Sequence, residues 1–135
     1  MRVAILGSTI LALEHAHKTL DKTPSSRITV YTEDAEVGFP ELPVSEELVM
    51  REALDSIPSN WYSSIPEGID WNAPSTSANS WLSKSMAIRL ASRGARFLLR
   101  TIVFNIDEDC REISFRGGGM VRSGVDRYDE LHDCR

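Results

Sequence analysis

A glycine-bearing turn near the start of the chain is the segment whose residues could most readily do chemistry. It reads GSTILA from Gly7 to Ala12 and directly follows an apolar run. Such a turn between a buried strand and a helix can hold a phosphate group, because the helix N-terminus offers unpaired N–H groups and a favourable dipole. In the pattern GxGxxG/A, Gly7 and Ala12 match, but Thr9 stands where a second glycine lets phosphate approach the backbone. We therefore expect the amides of Gly7, Ser8 and Thr9 to bind phosphate in a weakened or displaced position.

A second candidate position lies at the end of the next predicted strand, where sites of this kind carry an acidic residue for ribose hydroxyls. Thr32 occupies that place, and Glu33 follows it by one residue. Because successive side chains of a strand point to opposite faces, Glu33 replaces the acid only if the strand end is bulged. Thr32 and Glu33 remain alternatives for the ribose contact.

The elements around these residues follow from the hydrophobic pattern. Val3 to Leu6 is a continuous apolar run, which is typical of a strand buried on both faces. Thr9 can cap a helix whose apolar stripe includes Leu13 and Leu20, and residues 27–32 are rich in β-branched and aromatic residues. A strand, a helix and a strand in some 32 residues predict a right-handed crossover and a parallel strand pair.

The rest of the chain continues the alternation of helices and strands, which predicts a three-layer α/β sandwich. We expect a mostly parallel sheet with helices on its faces and an attached β-hairpin, formed by residues 1–135 as one domain that is incomplete at its C-terminus. The further predicted elements are a proline-bounded turn at 39–43, a short helix from Ser45 to Leu54, an ordered Trp/Ser/Pro-rich excursion over 55–79, a helix from Ser80 with Gly94 as its C-cap, a strand at 95–99, a hairpin of 102–106 with 112–115, and a last strand at 128–133.

Four segments resemble, in order, the N-terminal FAD-binding part of the flavoproteins with two dinucleotide-binding domains, the superfamily of glutathione reductase and amine oxidase-like enzymes. They read VAILGSTILALEHA, ITVYTEDAEVGFPE, WLSKSMAIRLASRGARFLLRTIVFNID and RYDELHDC. The resemblance covers most of the chain. It departs from the family at Thr9 and Thr32, and the Ala-Thr-Gly turn that follows the last strand in the family is absent.

The resemblance implies a Rossmann-like fold, FAD binding and oxidoreductase chemistry, with NAD(P) or no cofactor as the alternatives. The family also needs a further domain to enclose the isoalloxazine, so we expect any redox catalysis to require a second chain or domain, and no catalytic residue is assigned. A second hypothesis is a degenerate Rossmann-like module without cofactor that acts as a protein-interaction subunit, through the Trp-bearing excursion or an unpaired sheet edge. Its partner would be a second protein chain or another copy of itself.

Composition narrows the remaining functions. A net charge of -5 disfavours nucleic acid as a partner, and the chain holds no run of apolar residues long enough to cross a bilayer. Cys110 and Cys134 form no CxxC motif, which favours a reducing cytoplasm. His15 and His17 are two residues apart on a predicted helix and cannot share a metal from one face, so no metal site is predicted. The three tryptophans recur every ten residues and suggest an aromatic cluster, for which core packing is the preferred interpretation.

Overall fold

The protein is described by a computed structural model that covers residues 1–38, 50–72, 76–118 and 123–135. Seven strands and three α-helices are present in these residues. Their bounds are β1 Arg2–Leu6, α1 Ile10–Lys22, β2 Arg27–Tyr31, α2 Met50–Ser56, α3 Thr76–Ser92, β3 Arg96–Leu98, β4 Thr101–Asp107, β5 Glu112–Gly117, β6 Gly124–Arg127 and β7 Glu130–Asp133, with a short 3-10 helix at Ser59–Trp61 between α2 and α3.

The strands form two sheets. The parallel sheet has the order β3-β2-β1-β7, and the antiparallel sheet has the order β4-β5-β6. In the parallel sheet β1 and β2 pair in register from Arg2 opposite Arg27 to Leu6 opposite Tyr31. The predicted parallel pair around the first helix is confirmed, as is the α/β class with a mostly parallel sheet.

Side-chain alternation along β1 and β2 divides the core into two layers. Val3 and Ile5 point toward the helices, together with Ile28 and Val30 of β2. Ala4 and Leu6 point to the other face, where they pack with Tyr31 and with side chains of the antiparallel sheet such as Ile113 and Phe115. In the described residues the helices therefore lie on one face of the parallel sheet, and the antiparallel sheet covers the other face in place of a second helical layer.

Several local predictions are confirmed. Thr9 is the N-cap of α1, and its Oγ1 accepts a hydrogen bond from the Ala12 N–H at 3.4 Å. Gly94 follows α3 with a φ of +96°, a left-handed conformation that suits glycine as a C-cap. The hairpin of β4 and β5 also lies where it was expected.

Three local predictions differ from the structure or lie outside it. The third helix begins at Thr76, four residues before Ser80, and the Ser80 hydroxyl donates to the Gly38 carbonyl and does not cap the helix. Strand β6 was not predicted, since its polar sequence shows no apolar alternation and it is defined by pairing with β5. The predicted turn at 39–43 and the start of the helix predicted from Ser45 lie outside the described residues.

Candidate functional site at the carboxyl edge of the parallel sheet

A cavity of about 300 Å³ lies where β1, β2 and β7 end, and we call it the carboxyl-edge cavity. Its volume is at the low end of the range typical of small-molecule sites. In open parallel sheets ligands bind at this edge, outside the carboxyl ends of the strands. The cavity is lined by Gly7, Ser8, Thr9, Tyr31, Thr32, Glu33, Asp34, Thr101, Ile102, Val103, Cys134 and Arg135.

Gly7 forms the turn that closes β1. It has a φ of +106°, and a Cβ atom at this position would lie 3.0 Å from the Cys134 carbonyl oxygen. The turn is further held by hydrogen bonds from the Gly7 N–H to the Tyr31 carbonyl and from the Cys134 N–H to the Leu6 carbonyl, each 2.8 Å. Both the backbone angle and the close approach of β7 therefore require glycine.

Thr9 and Ala12 occupy the start of α1 in different ways. Thr9 is exposed and lines the cavity, while its hydroxyl caps the helix, so one of the N–H groups of the first turn already has a partner. Ala12 is fully buried in the helix-side core and lies outside the cavity lining. This small residue allows close packing of the helix on the sheet, which is the role of the third position in the glycine pattern.

The hydroxyls of Ser8 and Thr32 form a closed hydrogen-bonded ring with Asp34. The Ser8 hydroxyl donates to Asp34 Oδ2 at 2.8 Å, so Thr32 must be the donor in its 3.0 Å bond to Ser8 Oγ. The Asp34 N–H donates in turn to Thr32 Oγ1 at 3.2 Å. Each hydroxyl thus donates and accepts once, an arrangement in which the bonds polarise one another and hold the ends of β1 and β2 together.

Asp34 is an acidic residue of the cavity that was not among the residues predicted from the sequence. Thr32 lies just after β2, and the carboxylate that joins its hydrogen-bonded ring belongs to Asp34, two residues further on. Residues two apart in an extended segment share a face, so this spacing was the signal that could have found it. Asp34 is exposed and lines the cavity, which leaves its carboxylate accessible to a ligand.

Glu33 and Arg135 place opposite charges in the same cavity. Glu33 is exposed beyond the end of β2, and its carboxylate contributes to the raised pKa of Arg135. The larger cause of that shift is Asp133, which accepts from Arg135 Nε and Nη2, both at 3.0 Å. Arg135 Nη1 also donates to the Val103 carbonyl, so the guanidinium joins β7 to β4 in a fixed orientation.

Cys134 does not offer a nucleophile to this cavity. Burial raises the pKa of its thiol, and the neighbouring Asp133 carboxylate raises it further. The thiol is therefore protonated at neutral pH, when it reacts poorly. Cys110 and Cys134 are both unpaired.

The aromatic and histidine residues singled out in the sequence lie apart from this cavity. Trp61 and Trp71 are each 4% exposed in the helix-side core, and Trp81 packs edge-on against Trp71. His17 is buried and stacks on Trp61, whereas His15 stacks on His132. Within the described ranges no group of three or more His, Cys, Asp and Glu side chains could hold a metal ion.

The sequence matches no protein-family model and no curated protein, whereas the structure is similar to several solved structures. A water-forming NADH oxidase from Lactobacillus brevis, bound to NADH, matches 98% of this chain with a TM-score of 0.61 and 19% identity. A pyridine nucleotide-disulfide family oxidoreductase from Enterococcus faecalis V583 matches 98% of this chain with a TM-score of 0.58 and 16% identity. A flavin-dependent halogenase matches 96% of this chain with a TM-score of 0.60 and 20% identity.

These similarities establish the fold: the chain has a Rossmann-like fold, as the sequence resemblance implied. The chain spans 24%, 22% and 28% of the lengths of those three proteins, in the order above. It therefore corresponds to one portion of each of them. Of the helices in the described residues, none is both long and apolar enough to span a bilayer.

Proposed function

We propose that residues 1–135 form a flavoprotein-type domain that binds FAD, or a related adenine dinucleotide, in the carboxyl-edge cavity. The observation that carries the proposal is the joint position of the Gly7 turn, the N-terminus of α1 and the Asp34 carboxylate around one cavity. The pyrophosphate would lie against the amides of Gly7, Ser8 and Thr9, where the helix dipole favours negative charge. Ala12 would keep the helix close to the sheet.

The adenosine ribose would be bound at the end of β2. The sequence predicted Thr32 or Glu33 for this contact. The Thr32 hydroxyl already bonds to Ser8, and Glu33 follows Thr32 directly, so the alternation of side chains directs it to the other face. Asp34 Oδ2 accepts from Ser8, and a carboxylate has further acceptor sites to offer a ribose diol. We therefore assign the ribose contact to Asp34, with Glu33 at the rim of the cavity.

The bound dinucleotide would supply hydride or electron transfer, and this chain would supply binding and orientation. Enclosure of a reactive ring would come from a second chain or domain, a proposal supported by the short span of the chain relative to similar proteins. The unpaired cysteines are consistent with a reducing cytoplasm as the site of action.

The test is a calorimetric titration of the folded protein with FAD, followed by NADH, NADPH and ADP as competitors. We expect saturable FAD binding with a Kd of about 1 μM, equivalent to about -8 kcal/mol. Asp34→Asn should weaken binding about tenfold or more, since the ribose loses a charged acceptor. The matched control is Asp55→Asn, an exposed carboxylate on α2 outside the cavity. A flat trace for wild type, or equal affinities in wild type and Asp34→Asn, would contradict the proposal.

A second candidate function, the protein-interaction subunit without cofactor, is favoured by the outer face of the antiparallel sheet. Ile102, which also borders the carboxyl-edge cavity, Phe104 and Val125 are 44%, 60% and 58% exposed on that sheet, and large apolar side chains exposed on one sheet are typical of an interaction surface. The Trp-bearing excursion is a poorer surface because Trp61 and Trp71 are buried. Light scattering over a range of concentrations decides whether a second copy binds there: a dimer that Phe104→Ser disrupts supports this function, and a strict monomer counts against self-association.

A further inference from the structure

Three adjacent strands of the parallel sheet each begin with an arginine. Arg2, Arg27 and Arg96 are the first residues of β1, β2 and β3. The residues that follow them, Val3, Ile28 and Phe97, pack in the helix-side core. Because side chains alternate along a strand, all three arginines face the antiparallel sheet. The amino edge of the parallel sheet thus carries a row of guanidinium groups on one face.

Two of these arginines are direct neighbours with the same charge. Arg2 and Arg27 are paired in register on adjacent strands, whose backbones lie about 4.8 Å apart in such sheets. Like charges placed directly opposite each other destabilise a sheet. In the part of the chain that the structure describes, Arg96 is ion-paired with Asp126 at 2.7 Å, but neither the Arg2 nor the Arg27 guanidinium forms a salt bridge.

The row opens into a cavity of about 430 Å³ between the two sheets, which we call the amino-edge cavity. Its volume falls within the range of small-molecule sites and exceeds that of the carboxyl-edge cavity. Arg127 of β6 contributes a fourth guanidinium, and the rings of Tyr31 and Tyr128 form part of the wall. Tyr31 also lines the carboxyl-edge cavity.

Nearby carboxylates neutralise this charge only in part. Asp126 lies in the cavity wall, where its Oδ2 accepts from both the Tyr31 hydroxyl at 2.6 Å and Arg96. Asp129 accepts from the Arg2 backbone N–H, and Glu112 lies 3.5 Å from the exposed Arg127 guanidinium. The cavity lining holds four arginines against these three carboxylates. The Arg2 backbone N–H lowers the pKa of Asp129, and the Arg2 and Arg111 guanidinium groups lower it further. The cavity is therefore a positive site on a chain whose net charge is -5.

We propose that the amino-edge cavity binds a small polyanion through its phosphate or carboxylate oxygens. Guanidinium groups match these oxygens in paired hydrogen bonds, and an anion placed between Arg2 and Arg27 would convert a repulsive pair into a bound one. A cleft of this volume on an acidic protein fits a small molecule and not a nucleic acid. Arg2 and Gly7 lie at opposite ends of the five-residue strand β1, which places them about 16 Å apart. The amino-edge cavity is therefore separate from the proposed dinucleotide site.

The experiment is a calorimetric titration with pyrophosphate, with inorganic phosphate and citrate as parallel arms. The test variant is Arg2→Gln with Arg27→Gln, which keeps polar side chains of moderate length and removes both charges. The control is Lys18→Gln with Lys22→Gln, two exposed charges on α1 at the other side of the parallel sheet. We expect wild type and control to bind pyrophosphate equally and the test variant to bind about tenfold more weakly or worse. Tighter binding of pyrophosphate than of citrate would assign phosphate oxygens, and the reverse would assign carboxylates.

Thermal unfolding provides a second readout that a purely structural role would not produce. Without anions, the test variant should unfold at the same or a higher temperature than wild type, because it lacks the like-charge pair. Added pyrophosphate should raise the unfolding temperature of wild type more than that of the variant, which keeps only the Gly7 turn as a place for pyrophosphate. The proposal is overturned if wild type binds none of the three anions, if the test variant binds as tightly as wild type, or if the lysine control loses as much affinity as the test variant.

Discussion

Gly7 is the residue at which the carboxyl-edge turn is most sensitive to substitution. Gly7→Ala combines a φ of +106° with a Cβ atom 3.0 Å from the Cys134 carbonyl oxygen, so we expect it to lower the free energy of unfolding by about 1–3 kcal/mol. Gly68→Ala is the matched control, since Gly68 also has a positive φ, +86°, but a Cβ atom there would meet no other atom within 4 Å. Urea denaturation of both variants separates backbone strain from close approach, and equal losses would show that the contact with Cys134 does not select glycine.

His17 makes stability depend on pH. Burial lowers its pKa from 6.5 to about 4. The ring is held in its neutral form, with Nε2 donating to the Met86 carbonyl and Nδ1 accepting from Arg93, both at 3.0 Å. Between these pKa values the unfolded chain binds a proton that the folded chain does not, so stability is complete above about pH 6.5 and falls as the pH drops toward 4.

We predict that wild type loses about 1 kcal/mol of unfolding free energy between pH 7 and pH 5.5 through this group. Urea denaturation at the two pH values measures the loss, and the range lies above the titration of ordinary carboxylates. His17→Ala should be less stable overall and should show a much smaller pH dependence. His15 is partly buried and lies on a different face of α1, so His15→Ala should keep the pH dependence of wild type. If His15→Ala loses the pH dependence and His17→Ala keeps it, the effect belongs to His15.

At the level of elements, Thr9 sets a balance between the stability of α1 and access of a phosphate to its N-terminus. Thr9→Gly should cost only a few tenths of a kcal/mol, because glycine is an acceptable N-cap, while it removes the side chain from the cavity. We therefore expect Thr9→Gly to bind FAD more tightly than wild type. Thr9→Ala should lower the unfolding free energy by about 0.5–1 kcal/mol with a smaller gain in affinity. Calorimetry and urea denaturation on the three proteins test this, and weaker FAD binding by Thr9→Gly would show that the threonine is a ligand contact.

The elements that sequence predicted well are those whose local pattern agrees with their tertiary surroundings. The apolar run of β1, the stripe of α1 and the β-branched run of β2 each indicate both a structure and the face that is buried. Strand β6 was not predicted because its sequence GVDR lacks an apolar pattern and only pairing with β5 makes it a strand. Ser80 was predicted to open α3, but its hydroxyl bonds to Gly38, which is distant in sequence.

Across the whole molecule, Tyr31 and Asp126 connect the two sheets. The Tyr31 hydroxyl donates to Asp126 Oδ2, and burial with this carboxylate raises the pKa of the tyrosine. Tyr31→Phe should therefore lower the unfolding free energy by about 1–2 kcal/mol, because β2 loses its polar link to β6. Tyr62→Phe is the control, since the Tyr62 ring packs edge-on against Trp81 in the helix-side core. If both variants are equally stable in urea, the link between the sheets contributes nothing measurable.

Some features of the candidate site follow from the local sequence, and others depend on the tertiary structure. The turn at Gly7, the capping role of Thr9 and the small size of Ala12 could be predicted from the local sequence, whereas the close approach of Cys134 to Gly7 depends on the tertiary structure. The two-residue spacing that places Asp34 on the face of Thr32 could be read from the sequence, whereas its hydrogen bond to Ser8, 26 residues away, depends on the tertiary structure.

The sequence by itself determined the α/β class, the parallel pair around α1 and the glycine turn, because hydrophobic periodicity and backbone preferences act over a few residues. Tertiary structure alone decided that the antiparallel sheet, and no helix, covers the second face of the parallel sheet in the described residues. It also decided that Arg2, Arg27 and Arg96 share one cavity. Each is an ordinary first residue of a strand, and only strand order and register bring their charges together.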